Sequence, residues 1–271
     1  MAETRLPIIT LTTDFGHRDH YVSSVKAAIL AISTRIVIVD VTHDIPAFDV
    51  QAAAWAVRVA FPDFPRRTVH VAIVDPGVGT PRRPILVETE NHFFIGPDNG
   101  IFTYVYEAEP PVRVYTLTSS HYVRSSISAT FHGRDLFGPA AAHLARGADP
   151  AHFGEEIEDP VRLDHARPES LPDGSVRASV VHIDRFGALV LNVTRQSLAS
   201  LRGGIAPDSL RVVAAGRRID RLCRTYGEAA PGEDFLLFNS SDLLEVSQNQ
   251  GRASDGLGLR VGDSVEISFP A

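Results

Sequence analysis

An alternation within the first 75 residues constrains this chain most. Ile8–Thr12 (IITLT), Arg35–Val41 (RIVIVDV) and Val69–Val74 (VHVAIV) are apolar and rich in β-branched residues and read as strands, the first buried and the third with the pattern of a strand buried on both faces. Two helical segments separate them. The first is capped at Asp19 and runs to about Ile32, with Val22, Val25, Ala28, Ile29 and Ile32 on one face. The second is the alanine-rich VQAAAWAVRVA, with Asp49 as its N-cap and a stop before Pro62 and Pro65. This β-α-β-α-β order predicts a parallel sheet covered by helices, and right-handed crossovers bring the three strand-end loops to one edge. Asp14, Asp44 and Asp75 lie just past those strand ends. Ligands bind along that edge in open α/β sheets.

The third strand breaks abruptly at Asp75-Pro76-Gly77, and Arg82 and Arg83 follow shortly after. Gly77 and Gly79 admit backbone shapes closed to other residues. Alone, the stretch fits a ligand site or a solvated turn with two surface arginines.

Further along, Ile85–Thr89 and His92–Ile95 read as a hairpin leading into the turn GPDNG, and Val112–Leu117 as another strand. A helix is expected from about Arg134, ending at Gly147 as its C-cap. From Asp149 to Ser175 the chain is rich in Pro, Asp, Glu, Arg and Gly without helical period, which marks a linker. Beyond it come short alternating segments split by Gly and Asp-Gly turns, the mark of a small barrel or sandwich. The expected fold is an α/β N-terminal domain with a mostly parallel, Rossmann-like central sheet over residues 1–165, then an all-β C-terminal domain over 166–271.

Composition narrows the function. The net charge of -7 over 271 residues disfavours a phosphate-contacting nucleic-acid binder. Cys223 is the single cysteine, so neither an intrachain disulfide nor a cysteine metal cluster can form. Lys26, the only lysine, lies in SSVKAAI, which excludes a P-loop and leaves Schiff-base chemistry nowhere else to reside. The start, MAETRLPIITLTTD, has no basic n-region and no apolar stretch reaches membrane-span length, so the expected location is the cytoplasm.

Seven stretches, in order, carry a resemblance: TLTTDFG (10–16), VDVTHDIPAFD (39–49), VDPGVGTPRRPI (74–85), GPDNGIF (96–102), TFHGRDLF (130–137), IDRFG (183–187) and NSSDLLEVSQNQG (239–251). Together they resemble the S-adenosyl-L-methionine (SAM) hydroxide adenosyltransferases, adenosine-forming SAM hydrolases related to fluorinase and chlorinase. The resemblance implies hydrolysis of SAM to adenosine and methionine, with Asp75, Arg82 and His132 delivering water or hydroxide to ribose C5′. The sulfonium leaves as a neutral thioether without a general acid, so the missing element is an activated, aimed nucleophile. His132 precedes the predicted helix start, where a helix N-terminus favours the neutral imidazole able to accept a proton.

The resemblance also implies a substrate site: Asp14 for the ribose hydroxyls, Asp19, His20 and Tyr21 nearby in the first loop, and Phe48 over the adenosyl group or sulfonium. In the C-terminal domain it assigns Asp184 to the methionine ammonium, Phe186 to adenine, Ser240 and Ser241 to the methionine carboxylate, and Gln248, Asn249 and Gln250 to the adenine edge. It also implies a homotrimer with sites between subunits; no cofactor or metal is expected, and the charge and the lack of a span-length apolar stretch speak against nucleic-acid and membrane partners. Departures are Ala188, where the family has asparagine, and Leu191, where it has threonine; both bear on the methionine end. Asp75, His132 and Gly133 replace residues of the fluoride-using relative and favour water over halide. Three other readings remain: SAM binding without turnover, halogenation, and a metallohydrolase built on Asp14, His17, Asp19 and His20, whose spacing matches no known metal motif.

Overall fold

In the first unit β1 (Ile8–Thr13), β2 (Val37–Thr42) and β3 (Val69–Ile73) pair in parallel, with β1 between the other two. The loops after all three strands therefore leave from the same sheet edge. The computed structural model describes residues 6–201 and 210–269. The chain divides into two compact units, Met1–Leu163 and Asp164–Ala271.

β4 (Pro84–Glu88) and β5 (Phe93–Pro97) form the expected hairpin, and β5 inserts beside β3. β6 (Arg113–Thr116) and the short β7 (Glu156–Ile157) extend the sheet to the order β2-β1-β3-β5-β4-β6-β7. This sheet is mixed, which corrects the expectation of a mostly parallel one. Pairing is parallel from β2 to β5 and antiparallel from β5 to β7. The cause is the hairpin: a tight connection can only reverse the chain, so β4 runs against β5. Only the β2-β1-β3 corner keeps the winding on which a Rossmann-like reading rested.

Period-two alternation divides the strand side chains between two cores. Val69, Val71 and Ile73 face one side with α1 (Tyr21–Ile32) and α4 (Gly138–Ala145). Ala72 and Val74 face the other with α2 (Val50–Ala60) and α3 (Thr103–Ala108). Asp49 caps α2, its carboxylate accepting from the Ala52 amide at 2.9 Å. Asp19 does not cap α1; His20 holds that position, already in helical backbone conformation and without a side-chain cap bond. A five-residue π-helical turn, Gly133–Phe137, leads into α4.

In the second unit β8 (Glu169–Ser170), β9 (Val176–Ile183), β10 (Leu189–Thr194), β11 (Arg211–Ala214), β12 (Arg217–Ile219), β13 (Asp234–Phe238), β14 (Leu243–Gln248) and β15 (Ser264–Ser268) form one antiparallel sheet. β9 turns a corner, pairing with β15 through its first half and β10 through its second. After β12, Cys223 donates to Leu236 of β13 at 2.8 Å, so the sheet is nearly closed. It also carries two short helices, α5 (Arg195–Leu201) and α6 (Ala253–Leu257), that strand periodicity did not signal.

Candidate active site

Asp75, at the end of the β3 segment, has a side chain only 6% exposed. Arg82 returns to it seven residues later: Nε donates to Oδ1 at 2.9 Å and Nη2 meets Oδ2. The same Nη2 lies 2.8 Å from Nδ1 of His132. A guanidinium can only donate, so Nδ1 accepts, and neutral His132 carries its proton on Nε2. Burial, then the Arg82 charge, holds His132 below the usual histidine range, against opposition from Asp75 and Asp135. The expected neutral imidazole thus has burial and Arg82 as its causes. The expectation that it accepts a proton changes, because its one free lone pair is occupied.

Asp75 and His132 line a cleft of about 560 Å³, whereas Arg82 is not among its lining residues. Arg82 lies over the Phe137 ring at 5.4 Å, and its buried Nη1 has no hydrogen-bond partner. The adjacent Arg83 is engaged elsewhere, with Asp98 at 2.8 Å and Asp159 at 2.7 Å. Geometry therefore separates two arginines that the sequence leaves equivalent.

The first two strand-end loops complete this cleft. Asp14 accepts from the Phe48 amide at 2.9 Å through Oδ2, leaving Oδ1 available. Phe48 has φ 68° and is 70% exposed. A bulky residue in the left-handed region is rare, and here an acceptor from another loop stabilises it. Tyr21 lines the same cleft and meets the Phe131 ring edge-on at 5.3 Å, with Phe15 beside both. Asp19 and His20 are exposed and not among the lining residues; Asp44, also exposed, takes no part. His17 packs edge-on against His43 at 5.1 Å. Among the described residues no group of three His, Cys, Asp or Glu side chains could hold a metal ion.

Residues from Ser128 to Arg134 form the remaining wall, held by a residue behind it that the sequence reading passed over. Asp135 is 1% exposed; it accepts from Arg134 Nε at 2.7 Å and Nη2 at 2.8 Å, from Arg124 at 3.3 Å, and from the Ser128 amide at 2.9 Å. Those bonds pin the loop carrying Ser128 and Thr130, both in the cleft lining. The only sequence signal was an acidic residue inside TFHGRDLF, beside an arginine. Gly79 has φ 79° and packs where a Cβ would collide with the Ala129 carbonyl, so it joins this loop to that of Asp75. At Gly133 a Cβ would lie 3.2 Å from Ile73 and 3.3 Å from Val25, leaving a serine side chain little room.

The second unit has its own cleft, of about 680 Å³. Asp184, Phe186, Gln248, Asn249 and Gln250 all line it. Oδ1 of Asp184 accepts from the Phe186 and Ala188 amides, each at 2.9 Å, which shapes the turn holding Phe186 77% exposed. Phe48 and Phe186 are the two most exposed large apolar side chains among the described residues. Ser240 and Ser241 occupy the exposed turn between β13 and β14 and are not among the lining residues. Ala188 lines the cleft, whereas Leu191 is fully buried in the core. Tyr226 and Ser247, which the sequence reading did not single out, line it as well.

The profile of the SAM hydroxide adenosyltransferase N-terminal domain matches residues 9–154, and that of the C-terminal domain matches residues 178–266. The chain belongs to the SAM hydroxide adenosyltransferase family. An (R)-S-adenosyl-L-methionine hydrolase of Thermus thermophilus is 37% identical over 262 residues, 94% of this chain and 97% of its own length. A fluorinase of Actinoplanes is more distant, 25% identical over 292 residues and 97% of each chain. The crystal structure of an uncharacterized conserved protein from Thermotoga maritima superposes with a TM-score of 0.89 at 32% identity, covering 96% of this chain and 99% of that one. No helix of this SAM hydroxide adenosyltransferase, among the described residues, is long and apolar enough to cross a membrane.

Proposed function

We propose that the chain hydrolyses SAM to adenosine and L-methionine by in-line attack of water at ribose C5′. The observation that carries this is the joining of Asp75 and His132, both facing the first unit's cleft, by one arginine behind them. Asp75 accepts a proton from the attacking water as its oxygen bonds to C5′. The C5′–S electron pair passes to sulfur, which leaves as the neutral thioether, and the proton passes to solvent. Arg82 holds the carboxylate and the imidazole in register, and His132 presents Nε2–H to the cleft. Fixing the nucleophile in line is worth several kcal/mol, of the ~7–11 available to well-oriented reactions.

Asp14 binds the ribose hydroxyls through its open oxygen, and Phe48 covers the adenosyl group or the sulfonium. In the second unit Phe186 packs on adenine, Gln248, Asn249 and Gln250 border it, and Asp184 meets the methionine ammonium; the wider family pattern adds Ser240 and Ser241 at the carboxylate. A homotrimer would let the clefts of neighbouring subunits share one substrate. We place the enzyme in the cytoplasm, where SAM is made and used.

Incubation with SAM tests the proposal. Adenosine and methionine should appear in equal amounts, unchanged when fluoride or chloride is added. Saturable binding with SAM left intact would indicate a binding protein instead, and halide-dependent loss of SAM a halogenase. Light scattering should give three times the 29.4 kDa subunit mass.

A further inference from the structure

The second unit's cleft sits over a hidden carboxylate. Glu245, on β14, is 2% exposed, and the three donors that contact it among the described residues are neutral. Tyr226 Oη at 2.9 Å and Ser247 Oγ at 2.8 Å both donate to Oε1. Asn239 Nδ2 donates to Oε2 at 3.2 Å. A hydroxyl has a single hydrogen. With that hydrogen committed to Glu245, Tyr226 and Ser247 turn only lone pairs toward the cleft they line. Burial, followed by Glu245, pushes the Tyr226 phenol up to about 12, so it keeps its proton. The Asn239 amide is locked as well: its Oδ1 accepts from the Ser241 amide at 3.0 Å and the Leu243 amide at 3.1 Å, so its nitrogen must face Glu245.

We propose that Glu245 makes Tyr226 and Ser247 an acceptor-only surface that selects a ligand group bearing N–H donors and rejects its oxo counterpart. This rests on the SAM-hydrolase reading, under which two groups of SAM have that chemistry: the exocyclic amine of adenine and the α-ammonium of methionine. Sites built around one hydrogen-bond polarity reject the opposite one because the buried partners are left unpaired.

The test uses the full chain, as wild type, Glu245→Gln and Tyr226→Phe, each checked for folding by thermal melting. Binding is measured for adenosine against inosine, which replaces the amine by an oxo group, and for SAM against its desamino analogue. If the amine is the selected group, wild type should prefer adenosine by about tenfold or more. In Glu245→Gln the locked Asn239 still claims the amide oxygen, so the glutamine nitrogen faces the two hydroxyls. They then accept from it and donate into the cleft, and the adenosine-to-inosine ratio should fall by about tenfold or invert. Tyr226→Phe should lower the ratio by a smaller factor. If the ammonium is the selected group, the SAM-to-desamino ratio falls in the variants while the nucleoside ratio holds.

Both ratios unmoved in a folded Glu245→Gln, or equal weakening of all four ligands, overturns the proposal. Adenosine release from SAM by wild type alongside unmoved ratios sinks this inference alone. If wild type neither releases adenosine nor binds a nucleoside, the functional reading falls with it.

Discussion

Arg82 and His132, fifty positions apart, are joined by a 2.8 Å hydrogen bond from Nη2 to Nδ1. Because the guanidinium is always a donor, this contact sets the imidazole tautomer, and in the proposed hydrolysis it is Asp75 that takes a proton from water. In that proposal the three side chains divide the work: one acceptor, one positioned N–H, and one cation holding both.

Substituting that cation tests the division. Lysine keeps the charge but lacks the rigid planar fork that holds both carboxylate oxygens and the imidazole in one geometry. Arg82→Lys should lower kcat by about 10²-fold with a smaller change in KM, since misplacement of about 1 Å costs that much. Single-turnover kinetics on SAM measures it, and an unchanged kcat would show that the arginine is dispensable.

Acid should disable the site only below the ordinary histidine range. Protonated His132 would carry a hydrogen on Nδ1, facing the Arg82 donor, so the active form is neutral. Its folded-state pKa lies below 6.5, which keeps the neutral form populated as pH falls to that value. The acid limb of kcat/KM should have its midpoint below 6.5, and a limb centred at or above 6.5 would contradict the assigned tautomer.

Phe48 combines backbone strain with exposure. Glycine adopts a φ of 68° without penalty, so Phe48→Gly should raise unfolding free energy by up to about 1 kcal/mol while raising KM for SAM several-fold. Urea unfolding and steady-state kinetics read the two effects separately. A less stable variant with unchanged KM would assign Phe48 to packing.

His70 gives a separate pH effect, on stability. It is buried against Phe94, bonded to Thr10 at 2.8 Å, and pushed down to about 3, chiefly by burial and then by the His92 charge. The unfolded chain takes up this proton below about 6.5 and the folded chain only near 3, so stability is full above the first value and declines toward the second. Between pH 6.5 and ~5 the loss should be about 2 kcal/mol. Chemical denaturation at the two pH values tests this, and Glu or Asp titration aside, His70→Gln should flatten the slope.

The parts of the site that local pattern reveals are the strand ends and the motifs following them. Three apolar runs each terminating near an aspartate place Asp14 and Asp75 on one edge, and the structure puts both in one cleft, although the edge strand β2 is itself half-exposed. Pattern could not rank Arg82 above Arg83, because their difference lies in partners at Asp75 and Asp98 rather than in residue type. Nor could it foresee that Phe93–Pro97 inserts between β3 and β4: an apolar strand reads the same whichever neighbours it has. Asp135 and Glu245 escaped because a buried carboxylate looks like a surface one until its donors, brought in from separate segments, are known.

The most direct test is hydrolysis of SAM in oxygen-18 water, followed by mass analysis of the nucleoside. Solvent attack at C5′ predicts adenosine two mass units heavier, with the label on the 5′ oxygen. Unlabelled adenosine, or label recovered only in methionine, would contradict it.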